Sequence, residues 1–107
     1  MLHKSPRIES KKLRDSARNQ ECTLNVAGVC NYDSATTVLC HLPSEDKGMA
    51  KKSHDYFAAF GCSACHTWLD GNQGDEVDRL FYWLRGVKRT LEIWIREGLV
   101  VIKGHKP

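Results

Sequence analysis

Four of the five cysteines fall into two pairs that suit a metal. Cys62 and Cys65 form a C-x-x-C, a spacing that lets two thiolates from one tight turn reach a single tetrahedral ion. Cys22 and Cys30 form a looser C-x7-C, longer than the usual knuckle. Together they supply the four sulfurs of a structural zinc site, whose coordination free energy becomes folding free energy. A lone C-x-x-C would also suit a thioredoxin-like redox pair, but no βαβ context surrounds this one. An odd number of thiols argues against a disulfide framework. The fifth, Cys40, precedes His41 on an expected strand, where neighbours point to opposite faces. It therefore forms no nucleophilic pair with that histidine and reads as a small buried side chain.

Two histidines stand beside this frame. His41 ends a β-branched stretch just before Pro43, a rigid place for a general base. His66 directly follows the second cysteine of C-x-x-C. Asp70 lies four residues on, on the same helical face. Such a pair can hold a hard divalent cation or orient each other, and it can also be a simple surface pair.

The elements that must position these groups fit one α+β domain. The chain has 107 residues, with 27% charged and 41% hydrophobic, an ordinary globular balance. Residues 1–9 read as a flexible leader and 10–107 as a single domain. Ser10 to Asn19 reads as a helix, and Thr36 to His41 as a strand that Pro43 ends. Ser44 to His54 is a polar loop. Tyr56 to Phe60 reads as a second strand, and a short helix runs from the C-x-x-C to Gly71. The last helix places Val77, Leu80, Leu84, Val87, Leu91 and Trp94 at three- and four-residue steps, which predicts its core face. Asp75 is its expected N-cap and Gly98 its C-terminal cap. Gly86 within it costs about 1 kcal/mol against alanine. Leu99 to Ile102 reads as a terminal strand. Tyr82, Trp83 and Trp94 offer either core or a face for a second copy.

Charge and hydropathy limit the partners. The net charge is +3, and no apolar run approaches the ~20 residues that cross a bilayer. No secretory signal opens the chain, so a cytoplasmic protein without a membrane partner is expected. Lys4, Arg7, Lys11, Lys12, Arg14 and Arg18 face only Glu9 and Asp15 in the first 20 residues. Arg85, Lys88, Arg89 and Arg96 form a later basic set. Both sets suit a polyanion or a solvated helix face.

The order strand-His, loop, strand, then C-x-x-C-H into a helix resembles the HNH endonucleases, also called ββα-metal or His-Me finger nucleases. His41 matches the first histidine of that family, and Cys62, Cys65 and His66 match its closing motif. Cys22 and Cys30 match the upstream cysteines of its zinc-bearing branch. Cys22 to His41, Gly48 to Asp55 and Cys62 to Gly71 are similar to a family of small phage and prophage proteins described as nucleases. Leu84 to Thr90 and Glu97 to Leu99 fit it too. A more distant likeness is to the HNH domain of a phage nuclease that acts with a bacterial recombinase. Two departures stand out: Cys40 replaces the acid that usually precedes the first histidine, and the middle asparagine has no clear match, with Asp55 near its place.

The resemblance implies a small zinc-stapled ββα-metal core that cuts nucleic acid, DNA first. In it His41 activates water, and His66, helped by Asp70, holds a catalytic Mg²⁺ or Mn²⁺. Asp55 orients His41 or joins that metal. Zn²⁺ on Cys22, Cys30, Cys62 and Cys65 is structural. Lys11, Lys12, Arg14, Arg18, Lys47, Lys51 and Lys52 would hold phosphates, and a recombination or phage protein is the implied protein partner. The rival reading is a noncatalytic zinc module that binds DNA or protein.

Overall fold

The computed structural model describes residues 6–43, 53–71 and 73–106. Helix α1 (Lys11–Ser16) starts where the Ser10 hydroxyl accepts the Leu13 N–H, a standard N-cap. It is shorter than the expected Ser10–Asn19 span, since the chain turns away through Asn19 at φ 60°. A 3-10 turn over Ser34–Thr36 follows, capped by Asp33. Strand β1 (Val38–His41) then pairs antiparallel with β2 (Ala58–Gly61), setting His41 against Ala58 and Val38 against Gly61. Helix α2 (Ser63–Asp70) begins directly after Cys62, and α3 (Glu76–Arg96) follows from the Asp75 cap.

Every residue of β2 is buried, because chain covers it on several sides. The Thr23 and Leu24 N–H groups donate to the Phe60 carbonyl along its free edge. α3 lies across it. Trp94 meets Phe60 edge-on at 5.9 Å between ring centroids, and its indole N–H donates to Ser16 of α1. Leu13, Ala17, Phe60 and Trp94 thus form one apolar cluster, and Leu24, Val26, Leu69, Trp83 and buried cysteines form the other.

The face that α3 buries matches the expected one only in its C-terminal half, where Trp94 is fully buried and Val87 and Leu91 pack against the core. Trp83, Gly86, Thr90 and Trp94 are buried, whereas Val77, Leu80 and Leu84 are 68%, 60% and 72% exposed. Shape and hydrogen bonding decide this, not periodicity. The Thr90 hydroxyl accepts the Phe60 N–H and pairs with the Thr23 hydroxyl, so a buried polar group is fully used. At Gly86 a Cβ would lie 2.6 Å from Leu24 Cδ2 and 2.9 Å from the Ala59 Cβ. Gly86→Ala should therefore lower the thermal midpoint by several degrees despite the better helix former. Overpacking costs about 1–3 kcal/mol, against about 1 kcal/mol of helix propensity. A calorimetric scan of the variant beside wild type checks this.

The C-terminal segment forms no strand. After Gly98, at φ +76° as a helix-ending glycine should be, the Leu99 and Val100 N–H groups both turn back to the Trp94 carbonyl. Val101 and Ile102 are exposed, and among the described residues the sheet has two strands, β1 and β2. Among the described residues no helix is long and apolar enough to cross a membrane.

Candidate functional site

The four cysteines expected to share an ion do converge. The Sγ atoms of Cys22, Cys30, Cys62 and Cys65 all lie within 4.8 Å of one another. Sulfurs at the corners of a zinc tetrahedron, ~2.3 Å from the ion, sit ~3.8 Å apart. Cys30 and Cys62 are at 3.8 Å. Backbone N–H groups point at the sulfurs: Asn25 at Cys22 (3.3 Å), Val26 at Cys65 (3.4 Å) and Cys65 at Cys62 (3.4 Å). Among the described residues this is the group of three or more ligating side chains that closes to metal distance.

The ionisation of these thiols calls for a cation. Burial pushes the Cys30 and Cys65 thiols up, and neighbouring sulfurs push the same way. Burial also works against Cys62, but N–H groups of Asn31 and Cys65 and the Cys65 and Cys30 thiols bring it down to about 7. Four sulfurs gathered within 4.8 Å of one another suit a divalent ion that binds them as thiolates. The donor set fits zinc.

The rest of the fold holds this cluster in place. Arg85 of α3 donates to the Leu24 and Asn25 carbonyls at 2.8 and 2.6 Å. That residue, read as part of a basic patch, is therefore spent on the loop that carries Cys22. Cys40 lies outside the cluster, fully buried, with its thiol pushed up by burial, as suits a packing side chain.

At the other end of the hairpin His41 Nε2 lies 2.8 Å from Asp55 Oδ1. Asp55 is completely buried. Its four lone-pair positions are filled: Oδ1 by His41 and Arg7 Nη2 (2.7 Å), Oδ2 by the Ser10 N–H and Arg14 Nη1 (both 2.7 Å). Arg7 also reaches the Ser53 carbonyl and comes within 3.4 Å of His41 Nε2. The Ile8 N–H donates to His54 Nδ1 at 2.7 Å, and the buried Ser53 hydroxyl donates to the Leu42 carbonyl. The segment 7–10 is thereby fastened across the turn that carries Asp55.

Burial alone would raise the Asp55 carboxyl, but His41, the Ser10 N–H and the two guanidiniums hold it below its ordinary range. A carboxyl lowered in the folded state contributes stability that is complete above the unfolded value of ~3.9. The contribution is lost as pH falls through the lower folded value. Asp55→Asn should cost about 2–3 kcal/mol near neutral pH, less than the 3–5 of a wholly buried broken pair because both arginines keep some solvent. Urea unfolding at stepped pH should show that deficit shrinking below about pH 4.

His66 Nε2 lies 2.9 Å from Asp70 Oδ2 on the exposed side of α2, the expected i, i+4 pair. Among the described residues no hydrogen bond or ion pair joins it to His41 and Asp55.

The expected phosphate-binding residues divide. Lys47, Lys51 and Lys52 lie outside the described residues. Lys12 is exposed on α1. Lys11 and Arg18 share Asp15 at 2.6 and 3.8 Å, weak surface pairs that a phosphate can displace. Arg14 instead serves the buried Asp55, with Glu9 at 4.0 Å.

Sequence reasoning missed Arg7 and Ser10 as parts of this arrangement. The signal was a single acid beside a histidine at 54–55. Its partners stand more than 40 positions away, at no fixed spacing.

Comparison with known proteins agrees with this frame. The family model described as "Putative nuclease YbcO" matches residues 11–99. The chain is 35% identical over 99 residues to the "Putative nuclease YbcO" of Escherichia coli (strain K12), covering 82% of this chain and 95% of that protein. The same figures hold for the "Putative nuclease ybcO" of Enterobacteria phage 82. A solved chain, described as a "putative bacteriophage protein" from Escherichia coli str. K-12 substr. MG1655, superposes with a TM-score of 0.67 at 34% identity, over 81% of this chain and 100% of that one. With its matched span running from α1 through α3 and across all four clustered cysteines, the chain belongs to the YbcO family.

Proposed function

We propose that the protein is a metal-dependent nuclease of the HNH type that hydrolyses phosphodiesters, DNA first. The observation that carries this reading is the His41–Asp55 pair, an imidazole fixed at a strand end by a buried carboxylate that is itself fixed by three further donors. The description of the relatives as nucleases and the order β1, β2, α2 with C-x-x-C-H at the helix start support it.

In this mechanism His41 donates its Nε2–H to Asp55, which leaves the lone pair on Nδ1. Nδ1 takes a proton from water, and the resulting hydroxide attacks phosphorus in line. The P–O3′ bond breaks, and the leaving oxygen takes a proton from solvent. Asp55 orients the ring and is not a metal ligand, because none of its lone pairs is left over. His66 and Asp70 would hold Mg²⁺ or Mn²⁺, which when bound would supply charge neutralisation at the phosphate and the leaving oxygen. His66 Nε2 and Asp70 Oδ2 give one nitrogen and one oxygen donor in reach of solvent, a set that fits such an ion. Lys11, Lys12 and Arg18 hold the backbone without reading bases.

The rival, a zinc module without catalysis, draws on two facts: Cys40 stands where the family keeps an acid, and His66 and Asp70 are only two ligands. Plasmid nicking decides between them. The nuclease nicks supercoiled DNA with Mg²⁺ or Mn²⁺ and binds one Mn²⁺ beyond its zinc. A chain that takes up zinc alone, and leaves single- and double-stranded substrates intact with either ion, is the module.

A further inference from the structure

The N-terminal half of α3 carries an apolar stripe that is largely bare among the described residues. Val77, Leu80, Phe81 and Leu84 are 68%, 60%, 56% and 72% exposed. Steps of three and four place them on one face, turned away from buried Trp83, Gly86 and Thr90. They present on the order of 400 Å² of contiguous apolar surface, a size that marks an interaction site on a monomer. Phe81 is also held in place, flanked edge-on by Tyr82 at 5.4 Å and covered by the Arg85 guanidinium at 5.4 Å.

We propose that this stripe is a self-association surface, on which two copies of the chain pair their α3 helices antiparallel over residues 77–88. The spacing of Val77, Phe81, Leu84 and Lys88 (four, three, four) is that of the seam between two packed helices. Leu80 widens it on one side. At its end the apolar stem of Lys88 covers Val77 of the second copy while its ammonium stays at the surface, paired with Glu92 of its own helix at 2.6 Å.

Charge selects the occupant and the direction. The start of the helix carries Asp75, Glu76 and Asp78 with Arg79, whose guanidinium turns back to the Gln73 and Gly74 carbonyls. Farther on Lys88 pairs with Glu92 at 2.6 Å, which leaves Asp78 and Arg89 as the charges that flank the stripe. Asp78 and Arg89 flank the stripe on the same side, and antiparallel pairing sets Asp78 of each copy beside Arg89 of the other. Parallel pairing would lay the acidic ends together. The helix is thus complementary to itself in reverse. Two such patches bring about 800 Å² of apolar area together, and their polar flanks carry the contact toward the ~1,200 Å² lower bound of stable interfaces. A reversible dimer of roughly micromolar affinity is the expected strength. None of this depends on the cleavage reading.

Sedimentation equilibrium on the zinc-loaded full chain tests it. Wild type should show a concentration-dependent monomer–dimer equilibrium. Leu84→Glu, at a 72% exposed position, should raise the dissociation constant at least about tenfold, with circular dichroism and zinc content unchanged. Asp78→Arg and Arg89→Asp should each weaken pairing, and the two together should restore it, since the exchange preserves every cross-helix contact. A wild-type chain monomeric at hundreds of micromolar, or a Leu84→Glu chain that dimerises as before, overturns the proposal. Single variants that weaken the dimer without recovery in the double variant overturn the antiparallel register.

Discussion

Cys65→Ser is expected to leave a chain that holds no zinc and has no cooperative unfolding transition. The reason lies in what the cysteines replace. The sheet has two strands of four residues each, and one of the two apolar clusters is built partly from Cys62 and Cys65 themselves. Structural zinc binds with about 10–16 kcal/mol at neutral pH in small domains, as large as the whole net stability of ~5–15 kcal/mol typical of a folded domain. Removing one of four ligands removes most of the first quantity, and little is left to oppose chain entropy. Elemental analysis should give one zinc per wild-type chain and none for the variant. Its near-ultraviolet circular dichroism, which reports the packed Trp83 and Trp94, should flatten. Cys40→Ala is the control: it is equally buried but outside the cluster, so it should keep the metal and the transition. A zinc-free Cys65→Ser chain that unfolds as sharply as wild type would show that burial alone holds this fold.

The second large effect is on rate. His41→Ala should lower single-turnover nicking by about 10²–10⁴-fold, the usual contribution of a positioned general base, with the fold intact. The fold survives because Asp55 keeps three of its four donors when the imidazole goes: Arg7, Arg14 and the Ser10 N–H. Urea midpoints measured beside the rates separate the two effects. Added imidazole should return part of the lost rate, which a merely structural role would not allow. Undiminished nicking by His41→Ala would remove this residue from the mechanism.

These groups were legible in the sequence to different degrees. The cysteine cluster could be read because thiolate spacing is local chemistry: C-x-x-C fixes two sulfurs, and few other roles unite four. His66 with Asp70 could be read for the same reason, since four residues make one helical turn. The Asp75 cap and Gly98 stop were visible as end signals. The buried face of α3 was visible at Val87, Leu91 and Trp94 but not in the helix's first half. Val77, Leu80 and Leu84 have the right period, but burial went to a face containing Gly86 and Thr90, residues no hydropathy scale would choose. Gly86 is there for close approach to Leu24 and Ala59, and Thr90 for the Phe60 N–H, and both reasons exist only once β2 is in place. Asp55 stood out as an acid near the expected place, yet its saturation by Arg7, Ser10 and Arg14 depends on a contact across more than 40 residues.

The fastening of residues 7–10 over Asp55 has a practical side. The span shared with the family begins at residue 11. A protein trimmed to that span would keep every cysteine and both histidines, yet lose Arg7 and the Ser10 amide. The carboxylate would then face Arg14 and His41 alone, with water admitted to a place that is dry in the whole chain.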